Sequence, residues 1–329
     1  MQKIVFNQSG AAEDVLETKD IPTPEVKAGQ VGIRVKAASV NPADVLFIQG
    51  QYGLKPKFPD SPVGMEGAGE IDKIGTGIGD GIELFKGMRV AFATLGSWSD
   101  YVVVPASAIM PLPKNISWEE GAQFFVNPFT ALALLEEVNL KKGDWLLLTA
   151  AYSALNKIVI RIARERGIKT ICTVRRDEQV DALHVLGAKA VIHTEKDKLT
   201  ERVHALTNGK GVQACFESVG GDLCEEALNC MGQGGKMLIY GVLSGQPTPL
   251  NGGLMIFKEL TVKGFWLSQW MQESSTTTKA RLSSELYQLA KNKVMQLEVG
   301  ATFPLEQAAK AVEYSQKGGK SGKAIITCN

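Results

Sequence analysis

The stretch TAAYSALNK, residues 149–157, contains residue types that could hold a phosphate group. It follows an apolar run at 145–148 and precedes residues 158–166, whose apolar spacing predicts a helix. A strand, a tight turn and a helix in this order form the phosphate-binding turn of dinucleotide-binding α/β proteins. Ser153 is a suitable N-cap, so the first N–H groups of the helix could bind a pyrophosphate.

This turn lacks the glycines that usually let the backbone approach the pyrophosphate. Alanine adds only a methyl group, whereas Asn156 is a larger departure. Two interpretations stay open for the turn alone: a cofactor site with replaced glycines, or a plain strand–helix connection. The more glycine-rich GTGIGDG at 75–81 precedes a strand and not a helix, so we interpret it as a β–β loop.

Arg175 and Arg176 end the next predicted strand, 170–174. An NAD site usually carries an acidic residue near this point to bind the ribose 2′-hydroxyl, whereas arginine suits the 2′-phosphate of NADP. Two adjacent arginines can also be an ordinary solvated turn. Their position at a strand end favours NADPH as the cofactor.

The pattern along the chain changes near residue 126. Residues 1–125 contain short β-runs separated by Gly and Pro, which predicts a compact, barrel-like β-rich unit. From 127 to about 264, strands alternate with helices, which predicts a doubly wound parallel sheet. The predicted strands are 145–149, 170–174, 190–192, 213–217, 236–240 and 260–262, and the predicted helices are 153–166, 177–186, 196–207 and 222–231. A polar helix at about 273–293 and a β-rich tail follow.

Length and composition exclude several classes of function. The 329 residues suffice for about two domains, and 36 Lys+Arg against 35 Asp+Glu leave no polybasic surface for nucleic acid or anionic lipid. No apolar run approaches the ~20 residues of a membrane span, and the N-terminal residues predict a strand rather than a targeting segment. Five cysteines without a CxxC pair indicate free thiols in a reducing compartment, so we expect a cytoplasmic protein.

Four stretches give the chain a whole-length resemblance to a known family. They are VNPADVLFIQGQYGLKP at 40–56, VNPFTALALL at 126–135, YGVLSGQP at 240–247 and IFKELTVKGFWLSQW at 256–270. These resemble the zinc-free 2-enoyl thioester reductases of the medium-chain dehydrogenase/reductase superfamily. The resemblance implies an α/β protein in which a GroES-like catalytic domain, 1–125 with 265–329, is split around a Rossmann domain, 126–264. It also implies an active site in the cleft between them.

The same comparison argues against a metal. Where zinc-dependent members place a cysteine ligand, this chain has Asn41-Pro-Ala-Asp44, and where they place a histidine it has Met65, before Glu66. Residues 1–171 contain no cysteine, so the four-cysteine structural site is missing as well. We therefore expect no bound metal.

Without a metal, a side chain must polarise the substrate carbonyl. The resemblance implies that Tyr52 and Asn41 are catalytic, and a neutral phenol such as Tyr52 can donate a hydrogen bond without burying a charge. Tyr52 could instead pack its ring under a Pro-rich loop, and Asn41 could serve turn chemistry before Pro42. The implied cofactor contacts are Asn127, Thr130, Tyr152, Ser153, Ala154, Leu155, Arg175, Arg176, Asp177, Tyr240, Gly241, Val242, Leu243, Phe265, Trp266, Leu267 and Lys323.

The resemblance implies NADPH-dependent reduction of a 2-enoyl thioester, carried by CoA or an acyl carrier protein, with hydride to C3 and a proton to C2. Two alternatives stay open: a quinone or alkenal reductase of the same superfamily, and a nucleotide-binding sensor or nucleic-acid-binding module without catalysis. The aromatic segment LTVKGFWLSQW at 260–270 also predicts a homodimer joined at the edge of the parallel sheet.

Overall fold

Three β-sheets and their connecting helices make up the computed structural model, which describes residues 1–78 and 83–328. The strands are β1 (Gln2–Phe6), β2 (Leu16–Asp20), β3 (Gln30–Ser39), β4 (Ser61–Pro62), β5 (Glu66–Ile74), β6 (Arg89–Ala93), β7 (Tyr101–Pro105), β8 (Ile109–Pro111), β9 (Trp145–Leu148), β10 (Lys169–Val174), β11 (Ala190–His193), β12 (Val212–Glu217), β13 (Met231–Ile239), β14 (Thr261–Gly264), β15 (Val299–Pro304) and β16 (Lys323–Thr327). The α-helices are α1 (Ala12–Val15), α2 (Pro42–Ile48), α3 (Trp118–Gly121), α4 (Val126–Val138), α5 (Ala154–Glu165), α6 (Val180–Leu186), α7 (Leu199–Leu206), α8 (Gly221–Asn229), α9 (Gly252–Phe257), α10 (Leu267–Glu273), α11 (Thr276–Lys291) and α12 (Ala308–Gln316).

Packing divides the chain into two units. The first comprises Met1–Pro128 and Tyr287–Asn329, and the second comprises Phe129–Leu286. Residues 265–286 therefore pack with the second unit, whereas the family resemblance places them in the first domain. Helix α11 accounts for this, because Leu282 is fully buried and Arg281 pairs with Glu136 of α4 at 2.5 Å.

The first unit contains two sheets. Strand β1 lies between β2 and β4 in the smaller one. The larger sheet has the order β15-β16-β3-β5-β6-β8, and β7 also pairs with β3. Strand β3 carries two register shifts against β5, and such bulges bend a strand. Side chains from both sheets, including fully buried Phe6 and Phe92, form one apolar core with Trp98 from the connection between β6 and β7.

The C-terminal tail differs from the β-rich segment expected from its sequence. Strands β15 and β16 are parallel, and α12 forms the crossover between them. The helix is short, but its small apolar residues Ala308, Ala311 and Val312 are buried against the core. The crossover brings β16 beside β3, with Ile325 opposite Ser39, and so brings Lys323, the first residue of β16, to the end of β3.

The second unit contains a parallel sheet of order β11-β10-β9-β12-β13-β14, which confirms the doubly wound fold. Each predicted strand is present, although β13 begins at Met231 rather than at residue 236. The chain runs outward in one direction from β9 and in the other from β12. The carboxyl ends of these two strands therefore form the topological switch point, where such sheets bind ligands.

Two further expectations concern residues outside the sheets. Residues 75–78 of the glycine-rich stretch follow β5 without forming a helix, and residues 79–81 lie outside the described part of the chain. All five cysteines are buried and unbridged. Across residues 1–78 and 83–328, the structure contains no helix that is both long and apolar enough to span a bilayer.

Candidate active site and cofactor site

A buried polar cluster lies at the end of β3 in the first unit. We call it the Asn41 cluster, and it consists of Ser39, Asn41, Glu66 and Lys323. The Asn41 Nδ2 donates to Glu66 Oε1 at 2.9 Å and to Ser39 Oγ at 3.0 Å, and Ser39 Oγ donates to Glu66 Oε1 at 2.6 Å. Lys323 Nζ donates to the Asn41 Oδ1. The amide of Asn41 therefore has both ends engaged and a fixed orientation.

Charge inside the Asn41 cluster is partly balanced. Lys323 Nζ lies 3.6 Å from Glu66 Oε1, and both side chains are almost fully buried. Burial lowers the pKa of Lys323, while the carboxylates of Glu66 and Asp44 oppose that shift. Removing one partner of such a pair leaves an uncompensated buried charge, which is costly.

Asp44 lies beneath the cluster, in the first turn of α2. Its Oδ2 accepts a 2.7 Å hydrogen bond from the backbone N–H of Asn41, which ties the turn to the helix. Burial raises the pKa of Asp44 to about 7, against the opposing effects of the Asn41 N–H and the Lys323 charge. A carboxyl group at this position therefore exchanges its proton near neutral pH.

Glu66 also connects the cluster to the start of α4. Its Oε2 accepts from the backbone N–H groups of Phe125 at 3.1 Å and Val126 at 2.8 Å. A carboxylate at a helix N-terminus satisfies donors that the helix itself leaves unpaired. Asn127 is the next residue on α4, so Glu66 links Asn41 and Lys323 to the backbone directly before Asn127.

Tyr52 follows α2 at the end opposite to Asn41. Its backbone N–H donates to the carbonyl of Leu46 at 3.1 Å, and its partly buried ring packs against the core of the first unit. A helix as short as α2 spans only about 10 Å. The two residues expected to be catalytic are thus held at the two ends of one short, buried helix.

Metal-binding groups are not assembled at this site. Met65 packs partly buried against the core beside Glu66. Within the described ranges, no group of three or more His, Cys, Asp or Glu side chains could hold a metal ion. The donor set around Asn41 consists of an amide, a hydroxyl, a carboxylate and an ammonium, and the ammonium occupies the place of a cation beside Glu66.

The TAAYSALNK turn lies in the second unit, at the switch point. Ser153 is the N-cap of α5, and its Oγ accepts from the N–H of Asn156 at 3.3 Å. As the first helical residues, Ala154 and Leu155 have N–H groups that the helix cannot pair. Ala150 has a φ of +46°, a left-handed conformation that costs alanine about 1–2 kcal/mol. The turn therefore adopts a backbone conformation typical of glycine, although it contains no glycine.

Asn156 occupies the interior of this turn. Its side chain is fully buried, and its Nδ2 donates to the carbonyls of Thr149 at 2.7 Å and Ala150 at 3.3 Å. The opposite face of the turn is joined to β12, where Thr149 Oγ1 donates to Glu217 Oε1 at 3.2 Å and accepts from the Ser218 N–H at 3.0 Å. The end of β9 is therefore tied both to α5 and to β12.

Three buried oxygen atoms meet beside Asn156, and we call Asn156, Ser218 and Tyr240 the Asn156 group. Within the described part of the chain, Asn156 Oδ1, Ser218 Oγ and the Tyr240 hydroxyl have no aligned hydrogen-bond partner. Burial raises the pKa of Tyr240 to about 12, although the nearby side chains of Ser218, Asn156 and Ser153 oppose this shift. All three members of the group are therefore neutral at ordinary pH.

The residues after β13 approach the same place. The N–H of Leu243 donates to the carbonyl of Ser218 at 2.9 Å. A Cβ atom on Gly241 would lie only 3.0 Å from the Ser218 Cβ, so glycine permits this close contact. Val242 and Leu243 expose their side chains beyond it.

Cationic side chains gather at the carboxyl ends of β10 and β11. Arg175 and Arg176 are exposed, and Arg176 lies 3.7 Å from Glu178. Asp177 is held by Lys196 at 2.5 Å and lies 3.8 Å from His193 Nε2. Hydrogen bonding from Lys196 lowers the pKa of Asp177, so this carboxylate stays ionised and remains paired with Lys196. Lys196 and His193 thus lie beside Asp177 at these strand ends.

The remaining expected cofactor residues are more dispersed. Phe265 follows β14 and donates its N–H to the carbonyl of Ile239 at 2.8 Å, beside the end of β13. Trp266 and Leu267 begin α10, and Trp266 is 40% exposed, so this ring is not part of the core. Thr130 is buried on α4.

The second unit fits an NADP molecule. The unpaired N–H groups of α5 suit a pyrophosphate, and the exposed cations at the end of β10 suit a 2′-phosphate. The sequence pattern overlooks Glu66, Ser218 and Lys196. Glu66 could have been found from its place beside Met65, whereas Ser218 and Lys196 carry no sequence signal beyond following a strand.

Known proteins resemble the chain over its whole length. Two family models match, the alcohol dehydrogenase GroES-like domain at residues 27–114 and the zinc-binding dehydrogenase at 154–283. A mitochondrial enoyl-[acyl-carrier-protein] reductase of Rattus norvegicus is 31% identical, covering 99% of this chain and 88% of that protein. The corresponding Homo sapiens protein is 30% identical with the same coverage.

A solved structure shows the same fold. Escherichia coli quinone oxidoreductase, complexed with NADPH, superposes with a TM-score of 0.89 at 28% identity. The match covers 99% of this chain and 100% of that one. The similarity extends over both units, and the expected GroES-like and Rossmann architecture is confirmed.

Proposed function

Because the chain belongs to the medium-chain dehydrogenase/reductase superfamily, we propose that it reduces the double bond of 2-enoyl thioesters with NADPH and without a bound metal. The observation that carries this proposal is the 31% identity, over 99% of the chain, to a protein named enoyl-[acyl-carrier-protein] reductase. The substrate is an enoyl-CoA or an enoyl group on an acyl carrier protein.

NADPH, when bound, would supply the hydride that C3 of the substrate receives. The thioester oxygen then gains negative charge, and C2 needs a proton. Tyr52 can donate a hydrogen bond or a proton from a neutral phenol, and the fixed amide of Asn41 can orient a polar group beside it. The Lys323 charge beside Asn41 favours the developing negative charge.

The cofactor contacts follow the carboxyl ends of the parallel strands. Arg175 and Arg176 would bind the 2′-phosphate, and the N–H groups of Ala154 and Leu155 the pyrophosphate. Asn127 and Thr130 on α4 and the residues after β13 and β14 would hold the nicotinamide half. The similarity to a quinone oxidoreductase complexed with NADPH supports the choice of cofactor.

That structural similarity also favours a second candidate, a quinone reductase. The two functions separate in one assay: NADPH oxidation measured side by side with crotonyl-CoA, longer 2-enoyl-CoAs, a quinone and an alkenal. We expect the highest kcat/KM on a 2-enoyl-CoA. A preference of tenfold or more for the quinone, on the scale where tenfold is about 1.4 kcal/mol, would replace the first proposal by the second.

Metal independence has its own measurement. We expect elemental analysis of the purified protein to show far less than one zinc per chain, and activity to survive chelation. Stoichiometric zinc together with loss of activity on chelation would contradict the assignment to the zinc-free branch.

We also propose a homodimer joined through β14. This strand is the edge of the parallel sheet, and the neighbouring α9 exposes Ile256 and Phe257 at 71% and 82%. An open edge with apolar side chains invites pairing with a second copy. Light scattering at micromolar concentration should give twice the chain mass of 35.5 kDa, and a monomer would refute the dimer.

A further inference from the structure

Asn156 stands at a position of the phosphate turn where dinucleotide-binding proteins use glycine, yet its side chain makes hydrogen bonds to the backbone of the turn. We propose that Asn156 is a positioning residue for the cofactor: its side-chain amide holds the turn in the shape that glycines otherwise permit. The inference rests on the proposed use of NADPH.

The amide spans the connection between strand and helix. Asn156 belongs to the first turn of α5, whereas its Nδ2 donates at 2.7 Å to the carbonyl of Thr149, directly after β9. The helix N-terminus is therefore fixed to the strand end from inside. The N–H groups of Ala154 and Leu155 point at a pyrophosphate only while that geometry is kept.

The amide also supports the strained residue of the turn. Ala150 adopts a φ of +46°, which glycine accepts freely and alanine does not. Its carbonyl accepts from Asn156 Nδ2 at 3.3 Å and from the Ser153 N–H at 3.0 Å, and the following N–H, of Ala151, donates to the Thr173 carbonyl at 3.2 Å. Asn156 thus supplies one of the bonds that hold Ala150 in this conformation.

The orientation of the amide is set by its surroundings. Two carbonyl oxygens face one end of it, so that end must be the nitrogen. Its oxygen then faces the Asn156 group, where the Tyr240 phenol is close. A carboxylate of the same size would place an oxygen against the two carbonyls, so Asn156→Asp removes the donor with little change in volume.

The test compares NADPH with adenosine 2′-phosphate, which has no pyrophosphate and reads only the Arg175 end. Dissociation constants are measured by fluorescence titration and calorimetry at a temperature where every variant is folded. We expect Asn156→Asp and Asn156→Gly to weaken NADPH binding about tenfold or more and to leave adenosine 2′-phosphate binding within twofold. Adding Ala150→Gly to Asn156→Gly should recover most of the loss, because glycine adopts the left-handed conformation unaided.

Each other result is decisive. A parent protein that does not bind NADPH overturns the proposed cofactor. A parent that binds NADPH, with both Asn156 variants within twofold of it or tighter, shows that the amide positions nothing. Equal loss of both ligands, or no recovery on adding Ala150→Gly, shows a general structural role instead.

Discussion

Asn41 and Asn156 are both buried amides whose side-chain nitrogen donates two hydrogen bonds, but their neighbours differ. Asn41 lies among charges, with the Glu66 carboxylate, the Lys323 ammonium and the Asp44 carboxyl group around it. The Asn156 amide donates to two backbone carbonyls and lies beside the neutral Tyr240 phenol, and the buried Glu217 carboxylate is one hydrogen bond further away, on Thr149. Buried charges respond strongly to pH and to the loss of a partner, whereas neutral hydrogen bonds fix a shape. The surroundings of Asn41 are therefore arranged for electrostatics, and the turn that contains Asn156 for presenting backbone donors.

The largest effect should come from Tyr52, in the first unit. Tyr52→Phe keeps the ring and its packing, so folding and NADPH binding should be unchanged. If the hydroxyl serves the thioester or the proton at C2, kcat on a 2-enoyl-CoA should fall about 10²–10⁴-fold. A kcat within threefold of the parent would remove Tyr52 from the catalytic residues and favour the quinone reductase.

Breaking the buried charge pair should rank next. Lys323→Met leaves Glu66 and the Asn41 oxygen without their ammonium, and we expect a loss of about 3–5 kcal/mol in the free energy of unfolding. The matched control is Lys317→Met, which removes an exposed lysine 3.0 Å from Glu313 and should cost less than about 1 kcal/mol. Urea unfolding measures both, and equal losses would erase the contrast between buried and exposed pairs.

The cations at the end of β10 should give a smaller and more specific effect. Replacing Arg175 and Arg176 with Ala should raise the KM for NADPH about 10- to 100-fold and leave that for NADH nearly unchanged. The control is the double variant Lys169→Ala with Lys210→Ala, which removes the same amount of charge. Lys169 begins β10 and Lys210 precedes β12, so both lie at the amino ends of the strands, away from Arg175. An equal rise in KM in this control, or equal use of both cofactors by the parent, would contradict the assignment.

The last effect concerns pH and is small per pH unit. Asp44 has a folded-state pKa of about 7 against an ordinary value of 3.8, so between these values only the folded chain retains the proton. Stability from this group is thus complete below about pH 4 and lost as the pH rises towards 7, with a slope of at most about 1.4 kcal/mol per pH unit. Asp44→Asn should flatten the dependence, while Asn in place of the exposed Asp14 should not. Parallel curves for all three proteins would show that Asp44 titrates normally.

The parallel sheet could be predicted because its strands are short apolar runs separated by helical patterns. The start of β13 could not, since GQGG at 232–235 has the composition of a turn and lies at the register shift between Met231, opposite Val212, and Lys236, opposite Ala214. Helix α12 could not be predicted because it is short. Its nine residues gain their stability from packing against the core and not from intrinsic helix propensity.

The candidate site divides in the same way. The position of a strand-end residue such as Arg175 can be predicted from the order of strands and helices along the chain, because the carboxyl ends of parallel strands lie on the same side of the sheet. Lys323 meets Asn41 across 282 residues of sequence, and no local pattern contains that contact. The supporting role of Asn156 depends on where two carbonyls point, which only the folded turn determines.

The buried cysteines can serve as natural probes of local unfolding. Burial raises the pKa of Cys172, Cys224, Cys230 and Cys328 to about 12 and that of Cys215 well above its usual value. A maleimide reacts with an accessible thiolate, so the native chain should resist labelling. Cys328 lies in the first unit and the other four lie in the second. Mass spectrometry of the labelled peptides would therefore time the opening of each unit separately, with no engineered probe.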